Sequence, residues 1–187
     1  HRLYDEVARL AARIFSLWQG QTELAALPLR IGHGDLKASN LLFAEQSHEA
    51  TAVIDLDTMA WMTMDVELGD ALRSWCNRSA EDAPEPKLDT TLFEAAMRGY
   101  ARGAGAWMTT DERNAIVPGL LRISTELSAR FAADALHERY FGWNPAAAPT
   151  RGAHNLMRSR TQLQFAEQVS RARPKLEALV RAAFSAG

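Results

Sequence analysis

Ile31-Gly32-His33-Gly34-Asp35-Leu36-Lys37-Ala38-Ser39-Asn40-Leu41-Leu42-Phe43 is the stretch whose reading decides the fold. It sets an Asp shortly after a His and an Asn shortly after that Asp, at the edge of an apolar run. Outward from it, Asn40–Ala44 and Thr51–Asp55 are apolar runs joined by Glu45-Gln46-Ser47-His48-Glu49-Ala50, a polar connection of hairpin length. Paired antiparallel, the start of the first strand lies opposite the end of the second. That places Asn40 beside Asp55, two oxygen donors of the kind a hard cation such as Mg²⁺ takes. Asp57 follows two residues on and points the same way in an extended chain. It reads as a second ligand, a substrate contact or a solvated loop carboxylate, and the spacing leaves all three open.

The flanking chain predicts helices. Leu3, Val7, Leu10, Ile14 and Leu17 recur at steps of three and four, so residues 2–19 form an amphipathic helix ending at Gly20. Pro28 to Ile31 is expected to be extended. Residues 65–77 read as a helix capped at Asp65 or earlier, 77–87 as a loop, and 88–104 as a helix. Thr109 or Thr110 with Asp111 and Glu112 starts the next. Two helices are expected from there to Phe141, meeting near Pro118-Gly119. After a loop over 142–152, a long helix runs from Asn155 to about Arg173, broken by Pro174 and resumed to Phe184. The expected fold class is mainly α with one small β-hairpin carrying the polar centre.

Composition narrows the function. The 187 residues are 47% hydrophobic and 24% charged, with 21 basic and 23 acidic side chains and a net charge of −2. Nothing there favours nucleic acid or an anionic membrane as a partner. The single Cys76 excludes an intrachain disulfide and fits a reducing compartment. With no apolar run of membrane-span length and no visible signal peptide, a cytoplasmic location is expected. The chain opens at His1 inside a helical pattern, which reads as a piece of something longer.

The spacing of Asp35 and Asn40 resembles the catalytic loop of protein kinases, in which the Asp takes up the substrate hydroxyl's proton and the Asn holds Mg²⁺. Thr51-Ala52-Val53-Ile54-Asp55-Leu56-Asp57 falls where a kinase keeps its main metal-binding Asp. Together they resemble the phosphotransferase family of aminoglycoside and choline kinases, which share the protein-kinase-like fold. The resemblance implies Asp35 as base, Asn40 and Asp55 as metal ligands, and ATP with Mg²⁺ as co-substrate. Against this stand plainer readings: an Asp bonding backbone in a turn and an Asn before a strand. Asp55 has the stronger claim, because a carboxylate ending a buried strand is costly unless paired or bound to metal. Lys37 falls where many protein kinases hold a lysine near the transferred phosphate, or is a solvated loop lysine. His33 is expected to pack under the loop and bond backbone. Asp70 matches an Asp that in such folds accepts the loop's backbone N–H groups; its plain alternative is a pair with Arg73.

Closer still, the stretches LPLRIGHGDLKASNLLF, AVIDLDTM, ELGDALR, ELSARFAADAL and HNLMRSRTQLQF resemble the N-acetylhexosamine 1-kinase group, over residues 27–77 and 120–170. That group phosphorylates the anomeric hydroxyl of N-acetylglucosamine or N-acetylgalactosamine. By this resemblance Arg130 and, with a one-residue gap, Tyr140 contact the substrate. The alternative for Arg130 is a ladder of ion pairs with Glu126 and Asp134. Two departures stand out. Met59-Ala60-Trp61-Met62 replaces the Pro-Gly usual after Asp-Thr in this branch. The Gly-rich loop, strand lysine and partner Glu of the nucleotide-covering half are not found. Residues 1–187 are thus expected to be the C-terminal catalytic lobe alone, inactive in isolation and with an apolar cleft wall open to self-association. Two alternatives are a non-catalytic binding lobe and a metal-dependent hydrolase using His33, Asp35, Asp55 and Asp57.

Overall fold

The computed structural model describes residues 2–21, 26–79 and 83–185. Helix α1 (Tyr4–Gln19) comes first, then strand β1 (Arg30–Gly32). The hairpin β2 (Leu41–Phe43) and β3 (Ala50–Val53) and the strand β4 (Ala60–Met62) follow. Four helices complete the chain: α2 (Met64–Trp75), α3 (Thr90–Ala104), α4 (Thr110–His137) and α5 (Arg151–Ser185). The architecture is mainly helical with two small antiparallel sheets, compatible with a kinase-like phosphotransferase lobe.

The predicted hairpin forms, with Leu41 opposite Val53 and Leu42 opposite Ala52. The second sheet was not foreseen. Met59–Met62, noted only as a departure from a resemblance, supplies β4, which pairs antiparallel with β1 so that Gly32 faces Ala60 and Arg30 faces Met62. The strand that leads into the loop is therefore held from both sides in sequence. Ile31 and Trp61 are opposed across this sheet, 61% and 68% exposed.

Each helix start has its own cause. Asp89 caps α3 by accepting from the N–H groups of Thr91 and Leu92. Thr109 and Glu112 form a reciprocal capping box on α4. The α5 helix begins at Arg151, earlier than the spacing predicts, because Thr150 Oγ1 accepts from Ala153 N at 3.1 Å.

Two expected breaks do not occur. Pro118 lies inside α4 and Pro174 inside α5, and both helices run on. A proline removes one intrahelical bond, but burial on both sides of it can outweigh that cost. Around Pro118, Ile116, Val117, Leu120 and Leu121 are all buried, and beyond Pro174 so are Leu176 and Val180. Gly119 is not a breaker either. It is where α4 crosses α2: a β-carbon on Gly69 would fall 2.8 Å from the Gly119 backbone, and one on Gly119 would strike the Asp65 backbone.

The core has two connected parts. Leu68 and Leu72 of α2, Phe93 and Met97 of α3, Ile116 and Leu120 of α4, and Phe165 and Val169 of α5 fill one. Val7, Leu10 and Ile14 of α1 pack on Ala132, Ala135, Leu156 and Leu163 in the other. Between α4 and α5, Ser128 Oγ donates to the Ser159 carbonyl and Ser159 Oγ to that of Ser128, each at 2.7 Å. Both hydroxyls are buried, and this reciprocity is what satisfies them. Among the described residues, no helix is long and apolar enough to cross a membrane.

Candidate active site

The loop between β1 and β2 is built on Glu67. Its Oε1 accepts from His33 N at 3.0 Å and its Oε2 from Gly34 N at 2.9 Å. One buried carboxylate on α2 thus satisfies two successive backbone donors. Gly34 has φ 81, and a β-carbon there would lie 2.7 Å from the Thr58 carbonyl, so the sharp turn admits only glycine without strain. Thr58 Oγ1 in turn donates to the His33 carbonyl at 2.7 Å. The loop is tied to α2 on one side and to the segment after β3 on the other.

Glu67 takes the place expected for Asp70. The Asp70 carboxylate instead receives Arg73 Nε at 3.1 Å and Nη2 at 2.8 Å on its own helix. Asp70 lies one turn further along α2 and bonds within it, whereas Glu67 sits at the turn facing the loop. A carboxylate at 67 was present in the sequence, but nothing in the spacing separates it from its neighbour.

His33 is structural, as expected. Its Nδ1 accepts from Asp35 N at 3.3 Å, so the ring proton sits on Nε2, which donates to the Ile54 carbonyl at 2.9 Å. With both nitrogens engaged, the ring is not a metal ligand. Among the described residues no group of three His, Cys, Asp or Glu side chains is placed to hold a metal ion. The hydrolase alternative, which needs such a set, loses its support.

Asp35 gathers two donors on one carboxylate oxygen. Lys37 Nζ approaches Oδ2 at 2.5 Å and Asn40 Nδ2 at 3.3 Å. Asn40 Nδ2 also donates to the Asp35 backbone carbonyl at 2.8 Å. Asn40 is buried at the end of a short 3-10 turn (Ala38–Asn40). Its carbonyl accepts from Ile54 N at 3.0 Å, which extends the hairpin ladder to the residue before Asp55.

Asp55 departs from its expected setting. It ends a strand exposed throughout, not a buried one. Its backbone is left-handed, φ 68 and ψ 58, and the chain then turns through a 3-10 segment, Leu56–Thr58. The same-side argument for Asp57 fails for that reason, since the chain between the two is not extended. Neither carboxylate bonds another described residue.

These donors fit Mg²⁺ on chemical grounds. With its Nδ2 held by Asp35, the Asn40 amide turns its oxygen away from Asp35, and the Asp55 carboxylate has no protein partner. Mg²⁺ takes hard oxygens and commonly uses only one or two protein ligands besides phosphates and water.

Arg130 and Tyr140 are brought together at the far end of α4. Arg130 Nη2 donates to the Tyr140 hydroxyl at 3.3 Å, and its guanidinium lies 5.4 Å from that ring's centre and 5.5 Å from that of Phe141. The ion-pair ladder alternative does not form, because Asp134 is committed elsewhere. Its carboxylate accepts from the N–H groups of Arg139, Tyr140 and Phe141 and from Asn155 Nδ2. Burial pushes the Asp134 carboxyl up, but those backbone donors outweigh it and hold it below its ordinary pKa. Asp134 thereby folds the segment after α4 back on the helix end and sets Tyr140 beside Arg130. No hydrogen bond links this pair to the Asp35 loop.

A loop of this make-up, with a carboxylate flanked by a lysine and an asparagine beside a second, unpartnered carboxylate, belongs to the class of phosphoryl-transfer sites. Residues 1–106 match the phosphotransferase enzyme family, APH. That is more than half of the 187 residues, and the chain belongs to this family. Membership makes phosphoryl transfer to a small molecule the class of chemistry concerned.

Proposed function

We propose that this chain is the catalytic lobe of a small-molecule kinase that passes the γ-phosphate of ATP to a hydroxyl of its acceptor. The observation that carries the reading is the Asp35 carboxylate, held by Lys37 and Asn40 on a loop clamped by Glu67. Asp35 orients the acceptor hydroxyl and takes its proton late, since the transition state is loose. Lys37, already on Asp35, balances its charge and offers a cation to the incoming phosphoryl oxygens. Asn40 and Asp55 would hold Mg²⁺, which when bound neutralises charge on the phosphates. Asp57, exposed on the following turn, is kept as a further contact to that ion or to the nucleotide.

For the acceptor we favour an N-acetylhexosamine, on the resemblance of the helical stretches and on the Arg130–Tyr140 pair, an exposed donor set beside aromatic rings. The 187 residues hold no Gly-rich loop or strand lysine to clamp the nucleotide, so that clamp is assigned to a separate half. The exposed Ile31–Trp61 pair is a suitable apolar seat for it. Positioning supplies most of the catalysis here, and lost orientation alone is worth about 7–11 kcal/mol. Residues 1–187 alone should then show no turnover.

The test measures ATP consumption by the protein with its nucleotide half, against N-acetylglucosamine, N-acetylgalactosamine, choline and an aminoglycoside. Turnover with a hexosamine that depends on Asp35 supports the reading. Turnover with only choline or the aminoglycoside overturns the acceptor assignment, and none with any acceptor favours the non-catalytic binding lobe.

A further inference from the structure

A cleft of about 290 Å³ opens beside the loop, lined by Arg30, Gly32, Leu36, Glu67, Tyr100 and Trp107. Its charges do not balance. Glu67 is buried, and both its oxygens bond only neutral backbone N–H groups; no described cationic side chain pairs with it. Arg30 is the cation of the cleft, but its Nε bonds Glu112 at 2.5 Å and its Nη2 bonds the second Glu112 oxygen at 3.0 Å. Arg30 and Glu112 cancel, and the charge of Glu67 is left over.

The aromatic wall reports the same field. Burial chiefly, and then the negative charges of Glu67 and Glu112 against the positive one of Arg30, push the Tyr100 hydroxyl up to about 12. That hydroxyl has only the Met64 sulfur at 3.7 Å as partner, a weak acceptor. Tyr100 meets Trp107 edge-on, ring centres 6.4 Å apart. A surplus carboxylate under aromatic rings attracts a weakly hydrated cation and offers its carbon groups an apolar surface.

We propose that this cleft binds a small organic ammonium ion, its charge toward Glu67 and its alkyl groups against Tyr100, Trp107 and Leu36. The inference stands on the cleft and does not require phosphoryl transfer. Because Glu67 also holds the amides of His33 and Gly34, an occupant touches the residue that shapes the loop.

The test uses three probes of similar shape and different charge, tetramethylammonium, tert-butanol and pivalate. Each is titrated into the purified chain and followed by NMR at the Trp107 indole N–H and the Gly34 amide. Tetramethylammonium should bind saturably and shift both signals, and Tyr100→Leu or Trp107→Leu should weaken it roughly tenfold. Trp107 is partly exposed, so its variant serves even if the Tyr100 variant folds poorly. Equal or tighter binding of tert-butanol would show that shape alone is read, and of pivalate that Arg30 dominates; either overturns the proposal. So does tetramethylammonium binding that is absent or indifferent to both variants.

Discussion

Asn40 and Asp35 are joined through the Asn40 side-chain amide, whose Nδ2 donates to the Asp35 backbone carbonyl at 2.8 Å and reaches its Oδ2 at 3.3 Å. The amide is oriented by its neighbour, so its donor and acceptor ends have different jobs. Asn40→Asp keeps the shape but replaces the donor by a carboxylate facing two oxygens. It should destabilise the fold by about 1–3 kcal/mol, the cost of an unmade buried bond. Urea unfolding measures it, and an unchanged midpoint would sink the assignment of the amide's direction.

Asp35→Asn in the complete kinase should lower turnover about 10²–10⁴-fold while leaving ATP affinity near normal, since the base acts at the acceptor. Asp55→Ala should weaken Mg²⁺-ATP binding as well as rate. Near-normal turnover by Asp35→Asn means that another group is the base.

Glu67→Ala removes the acceptor of two successive N–H groups, one of them buried. The expected cost is about 1–3 kcal/mol. Hydrogen exchange at the His33 and Gly34 amides should quicken more than exchange in α4. If Asp70→Ala has the larger effect on those amides, Glu67 does not hold the loop.

Gly119→Ala places a β-carbon against the Asp65 backbone, while Gly103→Ala on α3 meets nothing within 4 Å. The first should destabilise by about 1–3 kcal/mol through overpacking. The second should stabilise by about 0.4–1 kcal/mol, by restricting the unfolded chain. Thermal unfolding of the two variants should move in opposite directions, and a shared direction would contradict the crossing of α2 and α4 at Gly119.

Glu112 sets an acid limit. The Arg30 hydrogen bond first of all, helped by the Thr109 backbone and hydroxyl and opposed by burial, lowers its carboxyl from 4.5 to about 2. A folded pKa below the unfolded one gives stability that is complete above pH 4.5 and is lost as pH falls toward 2. Glu112→Gln should reduce stability at pH 7 and flatten the loss between pH 4.5 and 2. Urea midpoints at the two ends check it; a variant as acid-sensitive as the parent would remove Glu112 as the cause.

Residues 31–55 determine the polar centre by themselves, because everything that forms it is local. The turn at Gly34, the hairpin and the approach of Asn40 to the end of β3 depend on contacts within one short stretch, and alternation with turn residues encodes them. Helix positions were legible for the same reason, as periodic apolar faces and caps such as Thr109 with Glu112. Pro118 and Pro174 were misread as breaks because local propensity opposes a helix there, while burial of the adjoining turns decides for it. The choice of Glu67 over Asp70 was not legible at all. Both carboxylates lie on α2, and which of them faces the loop depends on the rotation of that helix about its axis. The close contact of Gly69 with Gly119 sets that rotation, a contact between residues fifty positions apart that only the packed structure contains.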